Sequence, residues 1–212
     1  PNGEENGEET GDPNGEENGE ETGDPNGDTQ LEIGGELGTT LFATISEALQ
    51  NAEEGDTIII MEGIYDEDVS INKSVTLLGI RQPSLKSFNS TATNNAEFVL
   101  RGLVFTNTEF PGGGQATVTV PQGAALEMTD CVFVIDTNEE LACGFAVFVD
   151  KQSQGIDINN CTFANYRYGI FISPTDQEVR VVENTFTNLT TGIGIDIRQE
   201  NSEPAANYPT TG

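Results

Sequence analysis

Three charged residues, Glu127, Asp157 and Arg180, recur at one place in a repeating pattern of the chain. If the segments that carry them are strands stacked about 4.8 Å apart, Glu127 and Asp157 are neighbouring carboxylates, with Arg180 beside Asp157. Paired carboxylates can hold calcium, or work as acid and base where their environments differ. Asp130 and Glu183 fall at a nearby corner of the same pattern. Asp130, Asp157 and Glu183 are therefore the candidate calcium ligands, and calcium is the one cofactor these residues point to. The plain alternative is a solvated face, the commoner role of outward charges on a strongly acidic protein.

A second group lies in two insertions, "TNTEFPGGGQ" (106–115) and "DTNEELACG" (136–144). They fall at the same corner of adjacent repeats and are expected to form one lip beside the strand face. Insertions stacked on one side of a repeat protein are commonly its binding face, although tolerated loops look the same in sequence. Glu109, Gln115, Asp136, Glu139 and Glu140 are its candidate binding residues, alongside Glu127, Asp157 and Arg180.

Repeated short segments of the chain must position these groups. "FVLRGLVF" (98–105), "LEMTDCVF" (126–133), "IDINNCTF" (156–163) and "VRVVENTF" (179–186) share one template. The seventh and fifth positions before the phenylalanine are apolar in all four. The second before it is Leu103, Cys131, Cys161 or Asn184. "VTLLGIRQ" (75–82) fits as a weaker, earlier copy with its anchor at residue 82. A third short strand follows each copy, "VTV" (118–120), "FAVFV" (145–149), "IFI" (170–172) or "IGIDI" (193–197). Repeats of this length built from short strands bury their apolar faces against each other. Three strands and three corners per repeat describe one coil of a parallel β-helix. The corner residues Gly102, Asp130 and Asn160 tolerate a left-handed backbone, and Glu183 is the exception.

Before the repeats, "TTLFATISEALQNAEEGD" carries a capping-box pattern, Thr44 with Glu47. Ile45, Ala48 and Leu49 share one helical face, and Gly55 is placed to end the helix. One short helix is thus expected before everything else. The whole stretch "TISEALQNAEEGDTIIIMEGIYDEDVSINKSVTLLG" resembles the opening of right-handed parallel β-helix proteins of the pectin-lyase-like superfamily. The resemblance covers residues 39–197. It implies an all-β, right-handed parallel β-helix (a solenoid) of about five coils, with an N-terminal capping helix over the first.

That resemblance speaks to fold more than to chemistry. "NTEFPGGGQATVTV" followed by "CVFVIDT" is faintly similar to pectin methylesterases, and the matching residues would be Gln115 and Asp136. Ile135 stands where that motif has glutamine, "CGFAVF" lacks the second aspartate, and the chain has no tryptophan. Polygalacturonase-like and epimerase-like sites use histidine, which is also absent from the sequence. Arg180 beside Asp157 is the one point of similarity to a pectate-lyase-like site.

Composition bounds the rest. The 212 residues include 36 acids and 8 bases, for a net charge of −28. Nucleic-acid binding is excluded, since it needs lysine and arginine to neutralise phosphates. No apolar run is long enough to span a membrane. Residues 1–12, "PNGEENGEETGD", recur unchanged as 13–24, and a third copy begins. With no large apolar side chain, residues 1–28 are expected to be a disordered acidic linker, and 29–212 the β-helix domain. Cys131 and Cys161 occupy equivalent inward positions and are expected to be free thiols in the core; Cys143 is the odd one, in the lip. The sequons at Asn72, Asn89, Asn160 and Asn188 are of the kind that arise by chance in such a chain, while Asn107, Asn165 and Asn188 suit an asparagine ladder. Asp66, Glu67 and Asp68 read as ordinary surface acids.

The expected function is a non-enzymatic extracellular or cell-surface module, contacting a polysaccharide or a neighbouring surface protein. After Ile197 the polar run "RQENSEPAANYPTTG" makes a poor cap, so end-to-end stacking into a homo-oligomeric filament is a further expectation. A polysaccharide lyase or esterase is the alternative.

Overall fold

The structure, a computed structural model, describes residues 31–35, 38–92, 95–107, 116–135, 144–189 and 193–197. The acidic repeat at 1–28 lies outside these. Two strands, not a helix, come first: β1 (Leu31–Gly35) and β2 (Gly38–Phe42) pair antiparallel. Thr39, Thr40 and Phe42 are strand formers that stand directly before the helix pattern. Helix α1 (Ile45–Asn51) then opens on Thr44, whose hydroxyl accepts from the Glu47 amide at 3.1 Å.

The helix ends at the extended Ala52, earlier than Gly55, which has φ +85° in the following turn. Its ends are held from outside. The Glu67 carboxylate accepts from the amides of Ile45 and Ser46 at 2.9 and 3.0 Å, and Lys73 Nζ donates to the carbonyls of Leu49 and Ala52. A carboxylate at the N-terminus and an ammonium at the C-terminus both oppose the helix dipole. Asp66 pairs with Lys86, and Asp68 accepts from Ser87 Oγ at 2.6 Å. The three acids therefore organise the first repeat rather than merely decorating it.

From here parallel pairing takes over. β3 (Thr57–Ile60) is followed by the long β4 (Ile64–Ile71), and β5 (Val75–Gly79) by the long β6 (Ser84–Ser90). Later repeats split that long strand in two. β7 (Glu97–Arg101), β8 (Val104–Asn107) and β9 (Ala116–Val120) make one set. β10 (Ala125–Thr129), β11 (Val132–Ile135) and β12 (Phe145–Val149) make the next. Then come β13 (Gly155–Asn159), β14 (Thr162–Ala164) and β15 (Tyr168–Ile172), and finally β16 (Val179–Val182), β17 (Thr185–Thr187) and β18 (Ile193–Ile197).

One sheet has the order β16-β13-β10-β7-β5-β3-β1-β2; the other runs β17-β14-β11-β8-β6-β9-β12-β15-β18, with β4 on β6. Only the pairs made by β1 are antiparallel among the described strands. The protein is thus mostly β, in parallel sheets, with each three-strand set paired to the next.

The template phenylalanines fall in register, Phe105↔Phe133↔Phe163↔Phe186. Their rings stack at centroid distances of 4.6, 4.9 and 5.0 Å. In the weaker copy the partner of Phe105 is Leu85, not residue 82. Arg81 and Gln82, both with positive φ, widen that corner, and the buried Pro83 fills the slot that Leu103 takes in the next repeat. Gly79 is required beside it, because a Cβ there would lie 2.4 Å from the Gly102 carbonyl oxygen.

All four corner residues are left-handed: Gly102, Asp130, Asn160 and also Glu183, at φ +66°, +57°, +50° and +57°. Cys131 and Cys161 are buried free thiols, and burial pushes the Cys131 thiol well up. Asn184, next in their column, donates to the Ile158 carbonyl and accepts from the Cys161 amide. Asn165 donates to the Ile135 carbonyl and accepts from Asn188, so two of the three expected ladder asparagines are joined. The side chain of the third, Asn107, is outside the described set.

Candidate binding face

Parallel pairing aligns residues strand by strand, so one outward column of the first sheet reads Val99, Glu127, Asp157, Arg180. The predicted row is therefore a row in space. Arg180 Nη1 donates to Asp157 Oδ2 at 2.9 Å, and Glu127 is paired instead with Arg101, from the strand on its other side. All four side chains are about half exposed, between 40% and 51%. Arg101 was not anticipated. Its column neighbours are Leu78, Thr129 and Asn159, so no charge periodicity marked it.

The neighbouring column explains why this part of the face is concave. It holds Glu97, then Ala125, then Gly155, with Glu178 beyond. The methyl of Ala125 and the bare Gly155 between two glutamates leave a shallow groove of about 350 Å³, lined also by Val99, Glu127, Asp157 and Arg180. A Cβ on Gly155 would meet nothing within 4 Å, so the residue there is open space rather than a packing requirement. Asp157 Oδ1 and Asn159 Oδ1 are buried and accept no hydrogen bond among the described residues.

The proposed calcium ligands are not brought together. Asp157 is committed to Arg180, and Asp130 accepts from Asn160 Nδ2 at 2.6 Å at the corner. No group of three or more histidine, cysteine, aspartate or glutamate side chains that could hold a metal ion exists among the described residues. The reason is pleat: Asp130 and Glu183 sit where the chain turns, and Asp157 is on the flat of a strand. Asn160, a sequon asparagine, is itself part of that corner bond. Glu109, Gln115, Asp136, Glu139 and Glu140, with Cys143, lie outside the described residues.

Sequence reading missed an aromatic group on the second sheet. Phe148 and Phe171 stack at 5.3 Å and Phe145 and Tyr168 at 5.0 Å, as cross-strand pairs of β12 and β15, with the Arg167 guanidinium over Tyr168. The signal was present: in "FAVFV" and "YGIFI" the rings stand at matching positions. Such pairs stiffen a sheet. Among the described residues no helix is long and apolar enough to cross a membrane. Comparisons of the chain with protein-family models, with curated proteins and with solved structures give no match.

Proposed function

We propose that this chain is a right-handed parallel β-helix of the pectin-lyase-like kind. It works outside the cell as a non-enzymatic surface or matrix module, with the first sheet's outer face as its glycan-contacting surface. Parallel pairing of successive three-strand sets, with in-register phenylalanines and a helix at the first set, supports the fold reading. The observation that carries the function is the groove over Ala125 and Gly155, bordered by Glu127, Asp157 and Arg180 already locked in ion pairs. Held charges of this kind accept from and donate to sugar hydroxyls without being reordered on binding.

Charge narrows the ligand. Glu97, Glu127, Asp157 and Glu178 outnumber Arg101 and Arg180, on a chain of net charge −28. Polyuronates and sulfated glycans are repelled, and neutral polysaccharides are not. The lyase alternative draws on the 2.9 Å contact of Arg180 with Asp157, but its substrate would be one of the repelled polyanions.

Retention on immobilised polysaccharides tests the reading. The full chain is expected to be retarded by a neutral polysaccharide. Arg180→Ala should weaken that binding about tenfold, about 1.4 kcal/mol. No retention on any neutral polysaccharide, or equal retention of the variant, contradicts it. Release of unsaturated uronates from a polyuronate would establish the lyase instead.

A further inference from the structure

We infer that the groove over Ala125 and Gly155 takes an amino-sugar chain, a glycan whose protonated amines meet Glu97 and Glu178. The inference rests on the glycan reading above and adds to it the charge of the ligand. Register sets the arrangement. Glu97 pairs with Ala125 and Ala125 with Gly155. Ile156 pairs with Val179, so Glu178 follows Gly155 in the same column. The two glutamates thus bracket the groove across three strand spacings, about 14 Å at the backbone.

The carboxylates of the groove divide into two kinds. Glu127 is held by Arg101, and Asp157 by Arg180. Glu97 and Glu178 line the same groove, are exposed, and form no ion pair among the described residues. Asp157 is itself only half compensated, since Arg180 reaches Oδ2 while the buried Oδ1 has no donor among the described residues. The groove therefore carries more negative charge than its two arginines offset, with the excess at its two ends. A concave surface with apolar walls focuses such a field and draws in a cationic ligand.

The floor decides between a sugar chain and a basic peptide. β10 is paired on both sides, by β7 and β13, and β13 on both sides, by β10 and β16. The backbone groups of the floor are thus spent within the sheet. An extended peptide binds by pairing with a free sheet edge, and one laid across these strands would leave its own N–H and C=O groups unmatched. A glycan makes no such demand. Its rings rest on the low strip of Ala125 and Gly155, bordered by Val99, and its hydroxyls meet Glu127 and Arg180. An amine on that chain then supplies the charge that Glu97 and Glu178 lack.

Calorimetric titration of the full chain with a glucosamine tetramer and with its fully N-acetylated counterpart tests this, because the two differ in charge on one backbone. In mildly acidic buffer the amine form is expected to bind about tenfold tighter, a preference that fades as salt is raised. The double variant Glu97→Gln with Glu178→Gln should lose the preference and keep its affinity for the acetylated form. Glu53→Gln, an exposed acid outside the groove, should change neither. Equal binding of the two tetramers by the unsubstituted chain overturns the inference and leaves the neutral-glycan reading standing. A preference that survives in the double variant, or falls equally in Glu53→Gln, assigns it to overall charge and overturns the site. Tighter binding of tetralysine, lost in the double variant, makes the ligand a basic peptide and overturns the choice of sugar. Binding of neither tetramer defeats the glycan reading, and the inference with it.

Discussion

Gly102, Asp130, Asn160 and Glu183 share a left-handed backbone, but not a shared tolerance for it. Glycine, asparagine and aspartate adopt that region readily, and a glutamate does so at a cost. Glu183 is held there by its neighbours: Asn160 donates to the Val182 carbonyl, and Asn184 is tied to Ile158 and Cys161. Replacing Glu183 with Asn should relieve the strain and raise stability by about 0.5–1 kcal/mol, read as a higher urea midpoint at unchanged slope. Three of the four corners were legible from residue type. The fourth was not, because tertiary hydrogen bonds set its backbone against its own preference. The roles of Glu67 and Arg101 were hidden for a similar reason, since each depends on a partner about 20 or more residues away.

Two tyrosines extend the residue scale to pH. Tyr166 is fully buried with its hydroxyl 2.8 Å from Thr117 Oγ1, and burial pushes its phenol well up. Burial, with Glu67 nearby, pushes Tyr65 up to about 12. A raised folded-state value means the contribution is complete below the unfolded value of about 10 and is lost as pH climbs toward 12. Ultraviolet titration should show these two silent until the chain unfolds at alkaline pH. Ionisation of every tyrosine near pH 10 with the fold intact would contradict this.

At the scale of elements, the phenylalanine ladder joins four repeats through stacked rings in the core. Phe133 has a ring on both sides and is fully buried, whereas Phe186 has one neighbour and is partly exposed. Phe133→Ala should cost about 3–5 kcal/mol, and Phe186→Ala clearly less, by chemical denaturation. Periodicity made this ladder readable, because phenylalanine recurs at one template position. It failed in the earlier copy, where the corner holds extra residues and Leu85 replaces the expected anchor at 82. It failed again at β1 and β2, because "TTLF" runs straight into the helix that Thr44 caps.

For the whole molecule, stacking converts distant sequence positions into a surface. Glu127, Asp157 and Arg180 form a row because successive strands pair in parallel at matching template positions; a slip of one residue would turn the row inward. That much of the candidate site was legible. The concavity was not, because it depends on Ala125 and Gly155 being small between two glutamates. The three candidate calcium ligands are not gathered at one place, because they mix corner positions with a strand position.

Everything proposed for that face depends on one register. Scalar couplings across hydrogen bonds, measured by nuclear magnetic resonance on the labelled chain, read it directly. The account predicts couplings from the Val132 amide to the Leu103 carbonyl, from Thr162 to Cys131, and from Thr185 to Cys161, the bonds of 2.9, 2.9 and 2.8 Å that tie successive corners. Couplings that instead join these segments as antiparallel neighbours would contradict it.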